Sequence, residues 1–170
     1  MSDLLTAAKT TSNDRMPLAA LIPGVLGLIP FWGLAMLTAL PTDIPIDIAL
    51  FGLMTYGAII LTFVGAIWWG LAVHAPQGLH RSWMFIWSVT PSLLGWGAVL
   101  LGSLSDLQQG AIIGLPIIMV GLLMQWALDL AMHRAYPTLF VAWIVRLRTL
   151  LTFAAEVALA IAWWQALGYA

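Results

Sequence analysis

The sequence predicts an all-α integral membrane protein, a single bundle of five transmembrane helices. Of its 170 residues, 62% are hydrophobic and only 8% are charged, whereas a soluble domain carries about 25% charged residues. Residues 55–74 contain no charged side chain, and at about 1.5 Å per residue they are long enough to cross the hydrocarbon core of a bilayer. The basic residues also fall in alternate connections between apolar segments, as they do in multi-pass membrane proteins.

The predicted organisation is a polar N-terminal tail, residues 1–16, followed by one transmembrane domain, residues 17–170. The first apolar segment, residues 17–40, is too long for the core of a signal peptide and lacks a clear cleavage site. We therefore interpret it as an uncleaved first span. Pro23 and Pro30 lie inside it and predict a bend, because proline interrupts the helical hydrogen bonds.

Four more apolar segments follow the first one, and each is long enough to cross a bilayer as a helix. Residues 55–74, with Gly57, Gly65 and Gly70, have small side chains that let neighbouring helices approach closely. Residues 138–147 predict either a short interfacial helix or an early start of the fifth span. The predicted boundaries of spans two to five are 48–74, 83–104, 106–130 and 149–168.

The distribution of charge predicts how the bundle is oriented. Asp43, Asp47 and Asp106 fall on one side of the predicted bundle, and the six basic residues fall on the other. By the positive-inside rule, the N-terminus is expected to be cytoplasmic, or to face the matrix of an organelle, and the C-terminus to be periplasmic. The predicted location is the bacterial inner membrane. The basic residues are Lys9, Arg15, Arg81, Arg134, Arg146 and Arg148.

Polar side chains recur four residues apart near one end of the fourth and fifth predicted spans, and Ala66, Gly70 and His74 repeat this spacing on the second. Glu156 lies about 12 Å beyond Arg148 along the fifth span, and an ionisable group inside a membrane is a candidate functional residue. Residues spaced by four share one face of a helix. We therefore expect three such faces, including that of Ala66 and Gly70 with His74, to surround a polar pocket open to the cytoplasm. The candidate pocket residues are His74, Gln125, Asp129, His133, Arg148, Thr152 and Glu156.

Two structural alternatives remain open for these residues. Glu156 can instead be a protonated or hydrogen-bonded carboxyl group that fixes the register of its helix. His74 and His133, near the ends of their spans, can be interfacial residues or interact with the helix dipole. No HExxH motif or paired ligand spacing indicates a metal site.

Several function classes lack support in the composition. A net charge of −1 argues against nucleic-acid binding, and the absence of cysteine excludes disulfides and thiolate chemistry. No phosphate-binding loop or catalytic motif is present, so we assign no catalytic residue and do not expect an enzyme. We assign no cofactor either. Six of the ten tryptophans lie deeper in the predicted spans, where they either pack between helices or line a cavity that could hold haem, a quinone or a lipid. They are Trp32, Trp68, Trp69, Trp87, Trp96 and Trp126.

Three segments carry a resemblance to a known family: residues 56–70, 87–96 and 143–152. Together they resemble small multi-pass proteins classed as a bacterial domain of unknown function, with a mitochondrial transmembrane member in animals. The resemblance covers most of residues 17–155. It implies an energy-transducing inner membrane but no established activity. Asp129 falls where an acidic residue of the family is expected, whereas Glu156 lies beyond the matching segments.

We therefore expect a non-enzymatic accessory or assembly subunit of a larger inner-membrane complex, respiratory or photosynthetic. Small size, apolar helices suited to close packing and the lack of catalytic motifs support this expectation. The alternative is a module that binds or transports a small ligand or protons through the candidate pocket. The expected partners are the lipid bilayer and the larger complex.

Overall fold

A computed structural model describes residues 16–75, 81–104, 106–137 and 139–168. This part of the chain is helical, as predicted, and most of the predicted N-terminal tail lies outside it. Four segments are long and apolar enough to cross a membrane: Leu18–Ala39, Ile46–His74, Arg81–Ser103 and Leu107–Ala135. The helices are α1 (Leu18–Leu26), α2 (Ile29–Ala39), α3 (Ile46–His74), α4 (Arg81–Ser103), α5 (Leu107–Ala135) and α6 (Ala142–Gly168).

The first predicted span is interrupted between α1 and α2, next to the prolines that predicted a bend. Pro23 lies inside α1, and Pro30 stands at the start of α2. Gly27 is in the turn between them, and its carbonyl oxygen accepts a 2.8 Å hydrogen bond from the hydroxyl of Tyr56 on α3. The hydroxyl of Tyr56 therefore satisfies a backbone carbonyl at the break, where the regular helical hydrogen bonds are interrupted.

The last helix resolves the alternative left open for residues 138–147. Helix α6 begins at Ala142 and runs for 27 residues to Gly168. Most of the ambiguous segment is therefore an early start of the fifth predicted span. The helix packs against α2 and α5 along the bundle, and its crossing of the bilayer stays a prediction.

The charges divide between the two ends of the bundle. We call the end where α3 and α5 stop and where α4 and α6 begin the basic end. There Arg81 donates hydrogen bonds to the carbonyl oxygens of Ala72 and Val73, at 3.0 and 3.3 Å. These carbonyls belong to the last turn of α3, which has no further helical donors. At the opposite end, Asp106 caps α5 by accepting from two backbone N–H groups.

Helix α3 is the centre of the bundle, in contact with α2, α4, α5 and α6. Small residues allow these contacts to be close. A Cβ atom on Gly65 would lie 2.7 Å from Cγ of Pro91 on α4, and one on Gly57 would lie 2.9 Å from Ile118 on α5. Such close approach is how helices associate in lipid, where apolar side chains gain little by leaving the surrounding tails.

Candidate functional site

A buried polar network at the basic end joins four helices. At its centre, Asp129 of α5 accepts hydrogen bonds at Oδ1 from Nε1 of Trp68 on α3, at 2.8 Å, and from Nε2 of Gln125, at 3.3 Å. Arg148 of α6 lies with its Nε 2.7 Å from Oδ2 of the same carboxylate. Nε1 of Trp87 on α4 donates to Oε1 of Gln125 at 2.9 Å. We call these five residues the Asp129 network.

The charges in this network are almost completely removed from solvent. Asp129 is 1% exposed and Arg148 is 8% exposed. The Nε–Oδ2 approach is an ion pair whose N–H is not aligned for a hydrogen bond. A buried charge in such surroundings is tolerated when an opposite charge and hydrogen bonds compensate it. Asp129 has both, which explains how a carboxylate can lie inside an apolar bundle.

Aromatic rings fix the indole that reaches Asp129. The ring of Trp68 is fully buried and makes edge contacts with Trp83 and Trp87, at centroid distances of 5.4 and 6.5 Å. Phe140 lies 5.3 Å away on a further side. Sequence reasoning predicted Gln125, Asp129 and Arg148 but missed the two indole donors. The sequence feature that could have indicated them is the indole N–H of tryptophan, a donor that needs a hydrogen-bond acceptor when it is buried.

Glu156 is buried on α6, outside the Asp129 network. Two hydrogen bonds set the register of α6 against α5: Nε1 of Trp126 donates to Thr149, and Nε1 of Trp163 donates to the carbonyl of Ile112. In this antiparallel register Glu156 is level with Met119, far from Asp129. Neither oxygen of its carboxyl group has a hydrogen-bond partner among the described residues.

The two histidines also lie outside the network. Nδ1 of His133 is 2.5 Å from the carbonyl oxygen of Phe140, in the turn after α5. His74 is exposed, and its ring contacts the carbonyl of Gly70 on its own helix. Ala66 and Gly70 are exposed as well. The prediction that this face of α3 packs around the pocket is therefore wrong, because Trp68 and Ala72 occupy the inward face.

A cavity of about 470 Å³ lies between the two halves of the first span, α3 and α6. Most of its wall is apolar, and the polar groups on its side chains are the guanidinium of Arg148, the hydroxyl of Thr152 and the indole N–H of Trp143. Within the described residues, no hydrogen bond joins the terminal nitrogens of Arg148 or the hydroxyl of Thr152 to another group. The cavity can therefore accommodate an apolar molecule with one polar end. Its wall includes Ala20, Gly24, Val64, Leu122, Trp143 and Leu151.

Comparison with known proteins identifies the family. The chain is 32% identical over 140 residues to Transmembrane protein 69 of Xenopus tropicalis, an alignment that covers 82% of this chain and 51% of that protein. The chain thus spans about half the length of this relative. No solved structure matches it. The sequence profile of the family described as protein of unknown function (DUF3429) matches residues 16–164. The resemblance seen in the sequence is therefore confirmed, and this multi-pass membrane protein belongs to the DUF3429 family.

Proposed function

We propose that this chain binds a small, largely apolar molecule in the cavity between α1, α3 and α6. One observation carries the proposal: an apolar cavity has Arg148 and Thr152 in its wall, and no described residue forms a hydrogen bond with the terminal nitrogens of Arg148 or the hydroxyl of Thr152. A volume of 470 Å³ lies within the usual range of small-molecule sites, about 300–1,000 Å³. Such sites combine apolar walls with a few polar groups that orient the ligand.

The outer wall of the cavity suits a ligand that arrives from the lipid phase. Helix α1 has only nine residues, and none of them is fully buried. It packs against α6 through Gly24, where a Cβ atom would lie 2.9 Å from Leu151. The break at Gly27 separates α1 from the better packed α2. A short, exposed helix therefore stands between the cavity and the surrounding bilayer.

Filling the cavity tests this function. The Ala20→Phe substitution adds a ring to the cavity wall, whereas Ala131→Phe adds the same ring to an exposed position on α5. Each protein is purified in native lipid discs, and apolar molecules that co-purify are extracted and identified by mass spectrometry. We expect a molecule retained by wild type and Ala131→Phe to be lost from Ala20→Phe. Equal retention by all three proteins would contradict the proposal.

A second candidate function is that of an accessory or assembly subunit of a larger complex in the bacterial inner membrane. Thr62, Ala66 and Gly70 are four residues apart on α3, and all three are exposed. Small residues at this spacing form a groove in which another transmembrane helix can lie. This groove faces away from the bundle, so a helix of a partner protein is the occupant it would accept.

Substitution in the groove tests the accessory function. A leucine at Ala66 blocks close helix approach, and a leucine at Ala131 adds the same bulk elsewhere on the exposed surface. In mild detergent we expect wild type and Ala131→Leu to migrate with a larger complex, and Ala66→Leu to migrate alone. If wild type also migrates alone, this second function is wrong.

A further inference from the structure

We infer that the polar end of the bound molecule is a neutral acceptor of the carbonyl class, such as a ketone, a quinone or an ester, and not an anion. The inference rests on the proposed binding function and specifies its ligand. It follows from the charge already present at Arg148 and from the type of polar group that the cavity wall offers.

The guanidinium of Arg148 is already neutralised. Its Nε lies 2.7 Å from Asp129, and both side chains are buried. The pair therefore has no net charge. A carboxylate or phosphate bound beside it would leave one uncompensated negative charge in an apolar site, which is strongly unfavourable. A neutral acceptor adds no charge and can still accept from the terminal nitrogens of the guanidinium.

Asp129 is also held in place, so an incoming anion cannot readily replace it. Trp68 and Gln125 both donate to its Oδ1, and the indole of Trp68 is itself enclosed by aromatic rings. Moving the carboxylate away would leave these buried donors unpaired, which is costly inside a protein. The ion pair is therefore a fixed part of the cavity wall.

The other charged residues that the structure describes do not change the net charge at the cavity. Arg81 donates to the carbonyls that end α3, and Arg146 has interactions of its own. Neither residue lines the cavity, and nor does Arg134. Glu156 lies two helical turns from Arg148 on the same helix and carries no positive partner among the described residues. Among the described residues that line the cavity, an anion would thus find no cation besides Arg148.

The polar groups of the cavity wall complement an acceptor. Guanidinium N–H groups can only donate, and a hydroxyl can donate as well as accept. A carbonyl oxygen has two lone pairs, so it can accept from Arg148 and from Thr152 together. An alcohol or amine that accepts from Arg148 can direct its own hydrogen toward the hydroxyl of Thr152, but it then leaves the hydrogen of that hydroxyl unused. A carbonyl group accepts from both donors at once and therefore matches the site better.

Three probes of equal chain length test the chemistry directly: 2-dodecanone, dodecanoate and dodecane. Equilibrium binding is measured with labelled probes on protein in lipid discs, and the signal of Ala20→Phe is subtracted as the contribution of the bilayer. We expect 2-dodecanone to bind wild type at least tenfold more tightly than dodecanoate. Tighter binding of dodecanoate would overturn the inference while leaving the proposed function intact. No difference between wild type and Ala20→Phe with any probe would overturn both.

Two variants provide the decisive comparison. Asp129→Asn keeps the shape of the side chain but leaves Arg148 with an uncompensated positive charge, so the preference should reverse toward dodecanoate. Thr152→Val changes no charge and should weaken 2-dodecanone about fivefold, the effect of one hydrogen bond, with dodecane unchanged. If Asp129→Asn does not fold, Thr152→Val decides: equal binding of 2-dodecanone by wild type and this variant would overturn the role of the carbonyl.

The lipid composition of the discs distinguishes two sources of the carbonyl group, a phospholipid ester and a diffusible ketone or quinone. Discs of ether-linked lipid contain no ester carbonyl, whereas discs of ester-linked lipid offer one in every molecule. If a phospholipid ester is the natural occupant, 2-dodecanone binds more tightly in ether-linked discs because its competitor is absent. If the occupant is a diffusible ketone or quinone, the two disc types give the same affinity. These results decide the source of the carbonyl group, and the preference for 2-dodecanone over dodecanoate decides the class.

Discussion

The indole N–H of Trp163 on α6 donates a 3.1 Å hydrogen bond to the carbonyl oxygen of Ile112 on α5. Pro116 lies four residues after Ile112 and has no N–H, so this carbonyl lacks its ordinary helical partner. An unsatisfied carbonyl inside a bilayer is unfavourable, and neighbouring helices commonly supply the missing donor. Trp163 therefore completes the hydrogen bonding of α5 and joins α6 to it.

The first prediction concerns this contact. Trp163→Phe keeps most of the ring but removes the donor, and we expect it to lower the free energy of unfolding by about 1 kcal/mol. In a Pro116→Ala background the same substitution should cost less, because residue 116 then donates to Ile112. Unfolding in mixed detergent micelles measures the four free energies of the cycle. Trp164→Phe, at a residue that is 72% exposed, is the control, and an equal loss there would contradict the assignment.

The second prediction concerns the ion pair of the Asp129 network. Asp129→Ala leaves the guanidinium of Arg148 buried without a counter-charge, and we expect a loss of about 3–5 kcal/mol in unfolding free energy. Removing both charges, as in Asp129→Ala with Arg148→Met, should cost less than the sum of the two single substitutions. Asp43→Ala, in an exposed loop, should change stability by no more than about 0.5 kcal/mol. Additive losses would show that the two charges do not interact.

The third prediction concerns a close backbone contact between α4 and α5, at Gly102 and Gly110. A Cβ atom on Gly110 would overlap the backbone carbonyl of Gly102, and backbone cannot move aside as a flexible side chain can. We expect Gly110→Ala to destabilise the protein by at least about 2 kcal/mol, through overpacking. At Gly97 an added Cβ meets no atom within 4 Å, so Gly97→Ala should be neutral or slightly stabilising. Equal unfolding free energies for the two variants would refute the contact.

Much of the fold could be predicted because apolar length is a strong signal in a membrane protein. The break at Pro23 and Pro30 followed from the missing backbone donor of proline. That Gln125, Asp129 and Arg148 face away from lipid followed from the cost of placing polar groups in lipid, whereas the predicted opening of their pocket to the cytoplasm is wrong, because all three are buried. In each case one residue type has a physical requirement that does not depend on which helices are neighbours.

The rotation of α3 about its own axis, which decides which side chains face the bundle, could not be predicted in this way. Its side chains are apolar almost all round, and both lipid and protein interior accept apolar groups, so periodicity does not identify the inward face. The stripe of Ala66, Gly70 and His74 was therefore assigned inward, whereas Trp68 lies there. The cavity between α1, α3 and α6 was not predicted either, because it depends on how these apolar helices are placed relative to one another.

The fourth prediction concerns Glu156, whose carboxyl group has no partner among the described residues. Glu156→Gln should change the free energy of unfolding by less than about 0.5 kcal/mol, and Glu156→Leu should raise it by about 1 kcal/mol, because an unsatisfied polar group is replaced. A loss above 1 kcal/mol in Glu156→Gln would indicate a partner for the carboxyl group. If the alternative of proton transport holds, Glu156→Gln abolishes proton flux in proteoliposomes at unchanged stability.

The fifth prediction concerns the orientation of the bundle and the crossing of α6. The chain has no cysteine, so single cysteines can be introduced and labelled without background. Gln108 of α5 donates to the carbonyl of Ala166 at 3.1 Å, which brings the end of α6 to the side opposite the basic end. In intact spheroplasts an impermeant maleimide should label Thr42→Cys and Gly168→Cys. It should label Pro137→Cys only after permeabilisation, because the basic end is expected to face the cytoplasm. Labelling of Gly168→Cys together with Pro137→Cys would mean that α6 does not cross the bilayer, and the reverse pattern at all three sites would invert the bundle.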